Sequence, residues 1–208
     1  MTSTPRPADD ALVARTRAEL ARVGRAILID LEFTCWEDSL YTDWADPARP
    51  AEVIEIGLAL YRVDTGAIDA EFSRLVRPRV NPALSAYCMD LLHIPQAEID
   101  AADELPVVLP AVAAWLTDLG AKDVPTCGWG AMDRRRLAMD AATRTATDPL
   151  AGRPHIDMKV VMTALHHHPT PIGRDELRTM ARLPPNPDRH RALADALDLT
   201  HFLSLLLR

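Results

Sequence analysis

Four carboxylates and one histidine in this 208-residue chain stand where they could do chemistry together. Asp30 and Glu32 close the apolar start of AILIDLEFTCWE, residues 26–37, and residues i and i+2 of a strand point to the same face. Two acids held side by side in a partly apolar setting repel each other and resist desolvation. That cost falls sharply when a divalent cation binds between them. Asp133, in CGWGAMDRRRL, follows a strand end in the first turn of a helix, where open α/β sheets place their ligand crevice. His190 and Asp195, in HRALADA, are five residues apart, a spacing that on one continuous helix turns them about 140° away from each other. His190 is therefore expected in the loop after the breakers of LPPNPDR, with Asp195 on the first turns of the following helix, so that both face one cleft. Four acids and an imidazole suit phosphodiester hydrolysis with two divalent ions about 3.5 to 4 Å apart. The acids would hold the ions, and the imidazole, with an ordinary pKa near 6.5, would take a proton at neutral pH.

Each residue alone has a plainer reading. A lone D-x-E is commonly a pair of solvated acids in a turn, Asp133 a helix N-terminal acid favoured by the macrodipole, and His190 an exposed loop residue. Their order along the chain, each on a suitable element, is what argues for a site.

The elements that would position them are legible from periodicity. Residues 26–29 are apolar without alternation, the pattern of a central strand buried on both faces. Residues 52–63 and 67–76, separated by Asp64-Thr65-Gly66, form a hairpin. A short strand over 124–129 breaks at Gly130 into a helix beginning near Met132. Helical spacing marks 8–25, 82–92, 106–119, 157–168, 175–183 and 192–207, with a loop through Ile94, Pro95 and Gln96 and an irregular excursion over 38–50. A strand-then-helix unit added to a hairpin sheet implies an α/β protein with a mixed sheet flanked by helices. An N-terminal tail and peripheral helix over 1–25 precede a single domain over 26–208.

A net charge of −7 argues against coating long duplexes by neutralising many phosphates, but not against gripping one strand end. Three cysteines, Cys35, Cys88 and Cys127, without a C-x-x-C pair fit free thiols in a reducing compartment. There is neither the apolar run of a signal peptide nor an apolar span of about 20 residues, so a soluble, cytoplasmic protein without membrane contact is expected. The oligomeric state is not encoded in any pattern of this kind.

The chain resembles the DEDDh 3'-to-5' exonucleases of the ribonuclease H-like fold from residue 26 to the C-terminus. Asp30 and Glu32 match the first motif of that family, Asp133 the second, and His190 with Asp195 the H-x-A-x-x-D form of the third. DLEFTCWE and the run NPALSAYCMDLLHIPQAEIDAADELP are similar to the branch that trims histone messenger RNA 3' ends and small RNAs. The resemblance implies a five-stranded ribonuclease H-like sheet and two Mg2+ or Mn2+ ions on Asp30, Glu32, Asp133 and Asp195. It also implies His190 as general base and release of nucleoside 5'-monophosphates from a nucleic acid 3' end, single-stranded or overhanging, RNA or DNA. One departure stands out: Leu92-His93 occupies the place where many members carry Thr-Gly, in a loop that in relatives lies beside the terminal nucleotide. A catalytically inactive nucleic-acid-binding module is the competing reading. A haloacid-dehalogenase-type phosphatase, suggested by D-L-E-F-T, lacks the expected second Asp, Lys and late acid pair.

Phe33, Trp36, His93 and Trp129 are candidate substrate contacts, aromatic planes being able to stack on a base, although Phe33 alternates away from the acids and suits core packing equally. Glu55 is expected behind the site or solvated, and His166, His167 and His168 at a solvated helix end. Arg134, Arg135 and Arg136 should fan out, one of them reaching phosphate and the others forming surface pairs. Asp157 suits a helix cap, and Cys88 and Cys127 read as small buried apolar residues.

Overall fold

The computed structural model describes residues 6–208; residues 1–5 of the expected tail lie outside them. Five strands, β1 (Arg25–Phe33), β2 (Val53–Arg62), β3 (Ile68–Leu75), β4 (Thr126–Gly128) and β5 (His155–Asp157), form one sheet in the order β3-β2-β1-β4-β5. The β1–β2 and β2–β3 pairs are antiparallel, while β4 and β5 add in parallel. This is the expected mixed sheet, with one strand that periodicity did not locate. His155-Ile156-Asp157 is too short to carry a period of two, and its pairing with Thr126, Cys127 and Gly128 defines it. Asp157 still caps the next helix, accepting from the Val160 amide at 3.1 Å.

The helices are α1 (Pro7–Val23), α2 (Ser39–Thr42), α3 (Ala86–Leu92), α4 (Gln96–Asp100), α5 (Leu105–Asp118), α6 (Met132–Thr143), α7 (Met158–Leu165), α8 (Arg174–Ala181) and α9 (Ala192–Leu206). Three differ from expectation, the first being α2, a single turn within the stretch 38–50 expected to be irregular. The helix expected from residue 82 begins at Ala86, because the Ser85 hydroxyl caps it by accepting from the Cys88 amide at 2.9 Å. The stretch after Pro95 closes into one turn, α4, instead of staying a loop. Among the described residues no helix is long and apolar enough to cross a membrane.

Alternation along β1 explains why its apolar run is unbroken. Ile27, Ile29, Leu31 and Phe33 enter a core with Val108, Val112 and Leu116 of α5 and Leu137 of α6. Ala26 and Leu28 enter a second core with Leu20 of α1, Met162 of α7 and Phe202 of α9. Asp30 and Glu32 continue the second register, so they emerge on the α7–α9 side of the sheet. A buried ion network ties α6 to β2. The Glu52 carboxylate accepts from the backbone amides of Arg79, Val80 and Asn81 and from Arg144, which also donates to Asp140, and Asp140 accepts from the Val53 amide. Filling every lone pair of a buried carboxylate offsets its desolvation.

Candidate active site

The site is assembled where α9 begins against β2. Gly57 pairs with Asp30 across the β1–β2 ladder, and a Cβ at residue 57 would lie 2.2 Å from Ala192 C and Leu193 N. Only a glycine lets the helix backbone settle that close to the strand. Glu55, two residues earlier on the same face, is buried. It accepts from the Ala192 amide at 3.1 Å and from the Arg191 guanidinium at 3.0 Å, pinning the first turn of α9. The solvated alternative for Glu55 is therefore corrected: the carboxylate anchors the helix that carries Asp195.

His190 lies in the loop before α9, as its spacing requires, in a left-handed conformation at φ 64°. That turn brings its backbone amide to Asp195 Oδ2 at 3.0 Å, while Asn186 Nδ2 donates to Asp195 Oδ1 at 2.9 Å. Asp133 sits in the first turn of α6. The entry to α6 turns at Gly130 (φ 97°), whose carbonyl accepts from His155 Nε2 at 2.8 Å, and the Thr126 hydroxyl meets His155 Nδ1 at 2.9 Å.

Asp30, Glu32, Asp133, His190 and Asp195 line one cleft of about 390 Å³, toward the small end of ligand pockets and suited to a single nucleotide. Glu32, His190 and Asp195 each bring a ligand atom within 4.8 Å of the others. Asp30 reaches Asp195 through a residue that sequence reading did not single out: Arg174, whose Nη2 donates to Asp30 Oδ1 at 2.8 Å and whose Nη1 lies 3.3 Å from Asp195 Oδ1. Burial raises the Asp30 carboxyl to about 7, the Arg174 charge opposing and Asp195 reinforcing the rise. Burial also holds Glu32 and Asp133 well above the usual carboxylate range, with the Asp30 charge adding to each. His190 is pushed below the ordinary imidazole value by burial and by the neighbouring Arg189, so it stands neutral and able to accept a proton at pH 7. Buried carboxylates whose charge is disfavoured by one another are a donor set that divalent cations relieve, and the residues fit that group.

The aromatic candidates separate. Trp36 and Trp129 line the cleft, Trp36 with Arg49 5.5 Å from its ring centre and Trp129 packed on Phe202 at 4.9 Å. Phe33 is a buried wall, edge-on to Trp44 at 6.4 Å, as its alternation allowed. His93 is exposed and is not among the residues that line the cleft. It caps α3 with φ 53°, a left-handed position that the Gly of the Thr-Gly form adopts without steric cost. The histidine run is not solvated as expected. His166, His167 and His168 are half-buried, with His167 facing Asp9 and Asp10 of α1 and His168 3.2 Å from Glu176. Of the arginine run, Arg135 forms an exposed pair with Asp43 and Arg134 meets Asp148. Arg136 is buried over Trp44 rather than at the surface, because its helix face turns into the loop that carries α2. Cys35, Cys88 and Cys127 are all buried and free.

A pH dependence follows from Asp30. Its ordinary pKa of 3.8 is raised to about 7 in the folded chain, so between these values the folded state keeps a proton that the unfolded chain has released. Stability with a chelator present is therefore expected to fall as pH rises from about 4 to about 7, and to change little from this group above that. Thermal unfolding in a chelator across that range measures it, and a stability that climbs through the window would contradict the burial of Asp30.

Gly57 and Arg174 are the parts of the site that sequence reading missed. An isolated glycine inside an apolar strand is a recognised signal of close backbone approach. Arg174 carried no comparable signal.

The sheet order, the helices on both faces and the acids at the end of the central strand define a ribonuclease H-like protein with an acidic, single-nucleotide-sized cleft. The family model described as Exonuclease (RNase_T) matches residues 27–202, and the chain belongs to that family. It is 38% identical over 93 residues to ERI1 exoribonuclease 2 of Danio rerio, a match covering 45% of this chain and 16% of that one. The chain thus spans a minor part of the length of that relative. The solved nuclease domain of 3'hExo, titled a DEDDh family member bound to rAMP, superposes with a TM-score of 0.74 at 22% identity, covering 88% of this chain and 92% of that one. A 3'-exonuclease titled for 3'-end specific recognition of a histone mRNA stem-loop superposes with the same TM-score of 0.74 at 22% identity, covering 88% and 81%. The resemblance to the DEDDh exonucleases and their histone-mRNA branch, carried in the sequence by five residues and two runs, agrees with these matches. Membership in this family replaces the phosphatase reading.

Proposed function

We propose that this chain is a metal-dependent 3'-to-5' exonuclease that removes nucleoside 5'-monophosphates one at a time from a nucleic acid 3' end. The observation that carries the reading is the convergence of Asp30, Glu32, Asp133, His190 and Asp195, drawn from three distant stretches, on one cleft. Asp30, Glu32, Asp133 and Asp195 would hold two Mg2+ or Mn2+ ions, which when bound polarise the attacking water and stabilise the leaving oxygen. His190, neutral because burial disfavours its charge, accepts the proton of that water. Its backbone amide on Asp195 fixes the loop, so the imidazole and the carboxylate keep one relative position. Trp36, on the cleft wall, offers a stacking surface for the terminal base. The solved relative that holds rAMP and the one named for a histone mRNA stem-loop make a ribonucleotide 3' end the first substrate to test here.

The test is incubation of the purified chain with 5'-labelled RNA and DNA oligomers, their 3' ends free or blocked, in Mg2+, Mn2+ or chelator. A ladder shortening from the free 3' end with metal alone is the expected result. Binding without release of mononucleotide under every condition would favour the inactive module instead.

A further inference from the structure

Arg174 is a full positive charge set inside a group of acids. It is the first residue of α8, and its side chain is only 15% exposed. Its guanidinium carbon lies 5.7 Å from the Trp129 ring centre. Burial opposes its charge, but the carboxylates of Asp30, Asp195 and Asp133 outweigh that and raise its pKa, so it stays protonated. The acids thereby divide into two sides. On one, Glu32, His190 and Asp195 already have ligand atoms within 4.8 Å of one another. On the other, Asp30 Oδ1 is engaged by Arg174 at 2.8 Å, and Asp195 Oδ1 is shared between Arg174 and Asn186. A carboxylate oxygen facing a guanidinium cannot turn the same lone pair to a divalent ion, and a second cation beside a fixed guanidinium meets direct like-charge repulsion.

We propose that Arg174 is a resident counter-ion at one of two cation positions. The side of Glu32 and Asp195, beside His190, takes a divalent ion first, whereas the side of Asp30 takes one only after the guanidinium leaves Asp30. The inference rests on the metal-dependent reading above. It adds that the two positions fill with unequal affinity and that one arginine sets the inequality. Before the second ion arrives, the guanidinium offsets the mutual repulsion of three buried aspartates. Once released, it is free to engage a substrate phosphate, for which arginine has the matching planar donors.

The experiment is titration of the full chain with Mn2+, read by calorimetry and by loss of the free-ion paramagnetic resonance signal, for the native protein, Arg174→Gln and Arg174→Lys. The native chain is expected to bind one ion, with a second at least tenfold weaker. Arg174→Gln should tighten the second site at least tenfold, and should unfold at a lower temperature in chelator but not in saturating Mn2+. Arg174→Lys keeps the charge, so its second site should stay weak. A second site no tighter in Arg174→Gln than in the native chain, or equally tightened in Arg174→Lys, would overturn the proposal while leaving a metal-dependent nuclease intact. Absence of Mn2+ binding in all three proteins would overturn both.

Discussion

Asp30→Asn is expected to lower the rate of 3' end shortening on the order of 10³-fold or more while leaving the chelated protein as stable as the native chain, or more so. Asp30 is an acid whose charge the fold disfavours: it is buried, raised to about 7 and set beside Asp195. Asparagine keeps its size and one acceptor for Arg174 but removes the charge that a divalent ion requires, and loss of fixed electrostatic stabilisation at a reacting centre costs factors of about 10² to 10³ even for a single neutral donor. Removing a buried, mutually repelled charge at the same time relieves the folded state, the usual trade between activity and stability at such sites. Single-turnover cleavage of a labelled oligomer, paired with thermal unfolding in chelator, reads both halves. A variant that still shortens substrate at the native rate would remove Asp30 from the chemistry. One that is inactive but also markedly unstable would contradict the claim that its charge is a burden to the fold.

Gly57→Ala is the second large effect, and it acts through the backbone. The added methyl would stand 2.2 Å from Ala192 C and Leu193 N and 2.4 Å from Ala192 O. These are backbone atoms at the start of α9, so no flexible side chain can yield. The helix must move away, and it carries Asp195, together with the His190 loop, relative to Asp30 on the neighbouring strand. Overpacking of this kind costs about 1–3 kcal/mol and occasionally more, which for a domain of this size lowers the unfolding temperature by roughly 2–4 °C per kcal/mol. Activity should fall further than stability, by about 10²-fold, because displacement of a catalytic group by about 1 Å is enough for a loss of that order. Activity measured well below the unfolding temperature separates the two effects. Native stability and native rate in this variant would show that α9 does not rest on β2 as described.

Local patterns in the sequence are enough to specify much of this protein. The unbroken apolar run of β1 announces burial on both faces, and the two-residue step between Asp30 and Glu32 puts both acids on one side of it. The five-residue step from His190 to Asp195, with prolines before it, places one in a loop and the other on a helix. Each of these depends on geometry that repeats every two or 3.6 residues and so is written in neighbouring positions. The tertiary structure alone decided that His155–Asp157 is a strand, since three residues acquire that form only by pairing with β4. It also decided that Glu55 is buried beneath the α9 N-terminus, that α9 touches Gly57 through its backbone, and that Arg174 reaches Asp30 across 144 residues of chain. Charge pairing and close approach depend on which surfaces the packed elements bring together, and no local period carries that information.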